Sequence, residues 1–309
     1  MSCYSPLQAW KGPVSKSGKS SIVWKASDAV GGLSLFPLKL PCGQCIGCRL
    51  ERSRQWAMRC VHEASLHKRN CFVTLTFDSS HLPEDGSLSV RVFQLFMKRL
   101  RKYAKRCRIR FFHCGEYGSK LGRPHYHACL FNWDFADKVV WSVRDGVTLY
   151  RSPKLESIWG LGFCTVGDVT FESAAYVARY VMKKVTGEKA AGHYGDLKPE
   201  YVTMSRRDGI GKNWFDKFKN DIYPLDYAIV RGKKVRPPKF YDSLYELSDP
   251  EDFVRLKSAR ISRATVLVPA FNDFLGKSQM IDDNGFDRLP VKEEVTKSRL
   301  KELRRTLEE

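Results

Sequence analysis

Gly122-Arg123-Pro124-His125-Tyr126-His127-Ala128-Cys129-Leu130-Phe131 passes from a turn into an apolar run. Glycine and proline break regular structure at its start, and the aromatic and aliphatic residues that follow predict a strand over 125–131. A strand alternates its side chains between two faces, so His125 and His127 fall on the same one. Upstream, 108–114 reads as a second strand, and the turn-rich 115–124 joins the two as a hairpin. Glu116 stands at the end of that earlier strand and can reach the same side of the sheet. A carboxylate and two imidazoles would leave coordination positions open for water or phosphate. His125 and His127 as ordinary strand residues is the competing reading, and His113, one strand over, is a rival ligand.

Further upstream, Cys71-Phe72-Val73-Thr74-Leu75-Thr76-Phe77 is β-branched and aromatic, a third strand signal. Between them, 90–106 carries an apolar stripe of Phe93, Phe96, Met97, Leu100 and Tyr103, with its cations elsewhere, and predicts an amphipathic helix. A further helix is expected over 50–67. The fold class is therefore α+β. An antiparallel sheet with the 72–77 and 125–131 strands central should carry the metal on one face, with helix 90–106 covering the sheet. The expected divisions are a Cys-rich segment, 1–69, packed on a core at 70–187, then a basic region, 188–309, with a terminal helix over 292–307. Residues 1–40 read as loop.

Tyr176-Val177-Ala178-Arg179-Tyr180-Val181-Met182-Lys183-Lys184 lies in a predicted helix over 171–184. Residues four apart share a helix face, so the two phenols stand together. Arg179 follows Tyr176 by three positions and Lys183 follows Tyr180 by three, which gives each phenol a cationic neighbour. A phenol is a weak nucleophile at its usual pKa of about 10. A nearby cation favours its phenolate or holds a phosphate beside it. The competing reading is an aromatic core stripe. Val177 and Val181 offer a separate apolar pair for burial, which would leave the tyrosines beside the basic residues. A metal pair on a strand and paired phenols with cations are what metal-assisted DNA cleavage by tyrosine requires.

Charge points the same way. There are 53 Lys+Arg against 34 Asp+Glu, a net charge of +19, which favours a polyanionic partner. No apolar run approaches the roughly 18 residues of a membrane span, and 1–20 lacks an apolar signal core, so the chain is expected to stay where it is made. Gly18-Lys19-Ser20 imitates the end of a phosphate-binding loop, but Pro13 occupies the position where its first glycine belongs. The ten cysteines should then be reduced. Cys42, Cys45 and Cys48 are spaced for a metal, with Cys60 as the fourth thiolate of a candidate structural zinc set. Buried free thiols are the alternative, an iron–sulfur cluster a weaker one.

Together, Phe-Val-Thr-Leu-Thr-Phe (72–77), Gly-Glu-Tyr-Gly (115–118), Arg-Pro-His-Tyr-His (123–127) and the 176–184 stretch resemble the HUH endonucleases. The histidines precede the tyrosines, as in the replication-initiator branch. The Cys-rich opening at 41–49 is similar to initiators of the microviruses, especially their gokushovirus-like group. The resemblance covers roughly 41–185. It implies a ferredoxin-like or RRM-like nuclease core, with Mg²⁺ or Mn²⁺ held by Glu116, His125 and His127. It implies nicking and joining at a phage origin through a 5′-phosphotyrosine on Tyr176 or Tyr180, with Lys183 and Arg179 assisting at the phosphate and Arg123 and Lys184 contacting DNA. The implied setting is rolling-circle replication in the host bacterial cytoplasm. The implied partners are single-stranded and supercoiled origin DNA and, since the chain has no nucleotide-binding loop, a host helicase, with host polymerase and single-strand-binding protein. A plasmid initiator or single-strand transposase of the same superfamily, and a non-catalytic zinc-stabilised DNA-binding regulator, are the other readings.

Overall fold

The computed structural model describes residues 3–14, 20–31, 37–118, 121–144, 146–183, 189–266 and 288–301. They fall into two compact units: one of residues up to 51 with the C-terminal helix, and one from residue 52 to 266. In the first unit, β1 (Leu7–Val14) is flanked antiparallel by β2 (Ser20–Val23) and β3 (Leu38–Leu40). Sequence reading expected loop here. The strands are short and carry prolines and glycines at their ends, so their alternation is too brief to register.

α1 (Ile46–Ser65) enters the second unit at Arg52. The elements that follow are β4 (Asn70–Thr76), α2 (Val90–Ala104), β5 (Arg110–Tyr117), β6 (Pro124–Phe131), β7 (Val139–Arg144), β8 (Val147–Arg151), α3 (Pro153–Trp159), β9 (Cys164–Gly167), α4 (Phe171–Lys183), α5 (Lys189–Tyr194) and β10 (Tyr201–Met204). α6 (Lys212–Ile222), the β11 (Ala228–Val230) and β12 (Lys233–Val235) hairpin, α7 (Lys239–Ser248) and α8 (Pro250–Val266) complete this unit, and α9 (Arg288–Lys301) belongs to the first.

Seven strands form one antiparallel sheet in the order β10-β5-β6-β4-β9-β8-β7. The 70–76 strand is its middle member, with the histidine strand β6 beside it, as the sequence leads one to expect. β10 was not foreseen; it brings the region after residue 188 into the same sheet. Strand alternation sorts the side chains into two layers. Val73, Leu75, Tyr126, Ala128 and Leu130 meet Phe93, Phe96, Met97 and Leu100 of α2 and Trp159 of α3. Phe72, Phe112, Cys114, Cys129 and Phe131 face the other way, against Ala57 and Cys60 of α1 and Ala174, Val177 and Ala178 of α4. Tyr103, the last member of the predicted α2 stripe, is exposed. α3 shows why it starts and stops where it does: the Ser152 hydroxyl caps the Leu155 amide, Pro153 fills the first turn, and Gly160 ends the helix at φ 67°. Gly115 lets β10 approach, since a Cβ there would lie 2.8 Å from the Tyr201 ring.

A third cluster joins Phe215 and Ile222 of α6, Tyr241 and Tyr245 of α7, and Phe253 and Leu256 of α8. His62 of α1 is buried beside it, stacked on Trp214 at 3.5 Å between ring centroids, with Nδ1 3.0 Å from the Tyr241 hydroxyl. Burial pulls its pKa from the ordinary 6.5 down to about 4. The unfolded chain therefore takes up this proton at a higher pH than the folded one, so stability is lost as pH falls from about 6.5 towards about 4. Its expected size is about 3 kcal/mol. Urea midpoints measured across that window should fall steeply for the wild type and less for His62→Gln; parallel curves would contradict this origin. No described helix is long and apolar enough to cross a membrane.

Candidate metal centre

β5 and β6 pair so that Glu116 opposes His125 and Cys114 opposes His127, while β4 sets Thr74 opposite His127 from the other side. The period of two then puts Glu116, His125, His127 and Thr74 on the face that α4 covers. Glu116 Oε1 lies 2.7 Å from His125 Nε2 and 2.9 Å from His127 Nε2. The three ligand atoms lie within 4.8 Å of one another. Each imidazole is fixed through its far nitrogen. His125 Nδ1 donates to the Arg123 carbonyl at 3.1 Å, and His127 Nδ1 is 2.9 Å from Thr74 Oγ1. With Nδ1 of His125 carrying the hydrogen, its Nε2 presents a lone pair when the ring is neutral. Outer partners that hold imidazoles in this way are what a metal site needs. Thr74 is a positioning residue that sequence reading did not single out, because its role depends on cross-strand register.

Glu116 and His127 are buried, whereas the His125 side chain is 17% exposed, so the group opens to solvent on one side. Burial alone would raise the Glu116 carboxyl. Hydrogen bonds from His125 and His127, and their charge, outweigh it and hold the pKa down to about 2. An ionised carboxylate and two oriented imidazoles fit a divalent cation that retains open positions, and the donor set suits Mn²⁺ or Mg²⁺. His113 is not part of this group. It projects to the opposite face, stacked on Phe93 at 3.4 Å and 2.9 Å from Thr203 Oγ1, and burial holds its pKa well down.

α4 brings Tyr176 to the same place. Its ring is 4% exposed and meets His127 edge-on at 5.0 Å between centroids. Its hydroxyl is 3.5 Å from Glu116 Oε1, the long limit of a hydrogen bond. Val177 is buried too, so the valine does not displace the tyrosine from the interior. Tyr180, Arg179 and Lys183 lie on α4, but their side chains are outside the described residues, as is Lys184 entirely. Arg123 donates to the Phe77 carbonyl at 3.1 Å while its own carbonyl orients His125.

A second group of candidate ligands lies in the first unit: Cys3, Cys42, Cys45 and Cys48, again with ligand atoms within 4.8 Å of one another. Cys60, expected as the fourth thiolate, is not among them. It is fully buried on α1 among Ala57, Phe72 and Cys129. Cys3 takes its place, and nothing in its spacing announced that.

A seven-stranded antiparallel sheet bearing a carboxylate and two histidines, with a helix-borne tyrosine alongside, defines an α+β protein with a candidate metal centre. Residues 70–185, which contain that centre, match the family model for the ORF2-type replication-associated proteins. The replication-associated protein VP4 of Bdellovibrio phage phiMH2K is 31% identical over a 327-residue alignment that spans 99% of each chain. The replication-associated protein ORF2 of Spiroplasma virus 4 is 33% identical over 276 residues, covering 81% of this chain and 84% of that one. The replication-associated protein ORF4 of Chlamydia phage 1 is 31% identical over 231 residues, 70% of this chain and 56% of the relative. The chain belongs to this family of phage replication-associated proteins, the microvirus-like replication initiators. No solved structure matches it.

Proposed function

We propose that this chain is a metal-dependent, site-specific nickase and strand-joining enzyme of single-stranded DNA that starts rolling-circle replication at a phage origin, with an HUH-type core. The observation that carries this is the Tyr176 hydroxyl 3.5 Å from a carboxylate shared by two imidazoles. Glu116, His125 and His127 would hold Mg²⁺ or Mn²⁺. When bound, the cation polarises the scissile phosphate and offsets the charge that builds on it.

The chain's own residues do the rest. A tyrosine oxygen attacks phosphorus, the bond from phosphorus to the 3′ oxygen breaks, and that oxygen leaves as a 3′-hydroxyl with a proton. The product is a 5′-phosphotyrosine, and one ester replaces another, so no energy source is needed. The reverse attack by a 3′-hydroxyl releases the tyrosine and closes the strand. Tyr180, one turn further along α4, is the second nucleophile, which allows one tyrosine to hold DNA while the other cuts. Arg179 and Lys183 hold the phosphate, and Arg123 and Lys184 the flanking strand. Single-stranded and supercoiled origin DNA is the substrate. Helicase, polymerase and single-strand-binding protein come from the host, in the bacterial cytoplasm.

The test is incubation of the full chain with single-stranded origin DNA on a denaturing gel, with and without Mn²⁺ or Mg²⁺. A protein–DNA adduct that needs the cation, and that disappears when Tyr176 and Tyr180 are both changed to Phe, is the expected result. DNA binding without any adduct on a functional origin would leave a non-catalytic DNA-binding regulator.

A further inference from the structure

The first unit has almost no core. Among its described residues, Cys3 and Ala9 are the only buried apolar side chains. A unit of this size without a buried interior needs another source of stability, and a cross-link between distant parts of the chain is the usual one. What it has instead is four thiols meeting at one point. Cys42, Cys45 and Cys48 come from the turn into α1 and its first turn, and Cys3 comes from ahead of β1.

The backbone around them is arranged to receive thiolates. Amides of Gln44 and Cys45 donate to Cys42 Sγ at 3.4 and 3.2 Å. The Tyr4 amide donates to Cys45 Sγ at 3.3 Å, and the Cys42 amide donates to Cys3 Sγ at 3.3 Å. Gly43, at φ 75°, supplies the left-handed residue that turns the Cys42–Cys45 loop. Donors aimed at sulfur stabilise its charge, as outer-sphere bonds do around a metal.

Distance decides what joins the sulfurs. Cys45 Sγ and Cys3 Sγ are 3.9 Å apart, whereas a disulfide needs about 2.05 Å. A tetrahedron with metal–sulfur bonds of about 2.3 Å has edges of about 3.8 Å. Four soft donors and no oxygen exclude Mg²⁺ or Ca²⁺ as the natural occupant.

We infer that Cys3, Cys42, Cys45 and Cys48 form a closed tetrathiolate zinc site that holds the first unit together. It is structural, because four protein ligands leave no open position. It ties the residues before β1 to the start of α1. Tyr4, next to Cys3, bonds Thr296 of α9 at 2.8 Å, and the Ile46 amide bonds Glu293 at 3.4 Å, so the same knot fixes the C-terminal helix within this unit.

The test uses the full chain purified under reducing conditions. About one zinc ion per chain should be present. Four of the ten cysteines should resist alkylation until zinc is stripped by a chelator. Exchange with Co²⁺ should give the intense sulfur-to-cobalt absorption of a tetrathiolate, a signal that cobalt bound by Glu116, His125 and His127 cannot produce, so this outcome is independent of the proposed nickase. Cys3→Ser should lose that spectrum, and Cys60→Ala should keep it. A reduced chain without thiolate-bound metal, with all accessible thiols alkylated at once, would overturn the inference, and so would iron in place of zinc. If Cys3→Ser fails to fold, the wild-type protection pattern, with Cys3 mapped among the protected thiols, decides the ligand set.

Discussion

Glu116→Gln is expected to abolish adduct formation at cation concentrations that saturate the wild type. The substitution keeps the size and one oxygen acceptor, so β5 and β6 should stay paired. What it removes is the charge that both imidazoles share at 2.7 and 2.9 Å. Cation affinity should fall by at least about a hundredfold, more than the loss of an outer partner would cause. Excess Mn²⁺ should restore part of the activity, since the two histidines remain. The carboxylate also stabilises the metal-free fold. Its pKa is held at about 2 against an ordinary 4.5, so its contribution is present above about pH 4.5 and is lost as pH falls towards 2. In Glu116→Gln that acid limb should flatten. Calorimetric cation titration together with the gel assay checks both effects. An unchanged Mn²⁺ titration would remove Glu116 from the metal site, whatever the activity.

Much of this centre was legible because it depends on local periods. Two histidines at a spacing of two, on a run that can only be a strand, had to share a face. A hairpin had to bring Glu116 opposite them. Cys71–Phe77 declared itself by composition. Parts that depend on long-range pairing were silent. Thr74 reaches His127 only because β4 and β6 take a particular register. β10 is four residues long at the sheet edge, too short to show alternation. Cys3 is a lone cysteine in a segment with no spacing pattern, and only the fold brings it to Cys42, whereas Cys60, a plausible fourth ligand by proximity in sequence, is turned into the core by the α1 period. The same physics decides His113: at an odd offset from Glu116 along β5, it must face the other way.

Tyr176 invites two descriptions, core aromatic and nucleophile, and the geometry lets both be tested in one residue. The ring packs against Phe72 and His127, so removing it should cost what other buried aromatics cost, about 3–5 kcal/mol for Tyr176→Ala. The hydroxyl's contact with Glu116 sits at the long limit of a hydrogen bond, so Tyr176→Phe should change stability by less than about 1 kcal/mol. On chemistry the order reverses, because the hydroxyl oxygen is the reacting atom and the ring is its mount. Tyr176→Phe should therefore melt like the wild type yet fail to complete a full cycle of cutting and rejoining, even if Tyr180 still forms a single adduct. Tyr180→Phe should show the complementary defect, and the double change should form no adduct. Thermal melts and single-turnover gels on the same preparations separate the two roles. If Tyr176→Phe unfolds the chain, or if it completes full cycles at the wild-type rate, Tyr176 is a core residue and the nucleophile must be sought elsewhere on α4.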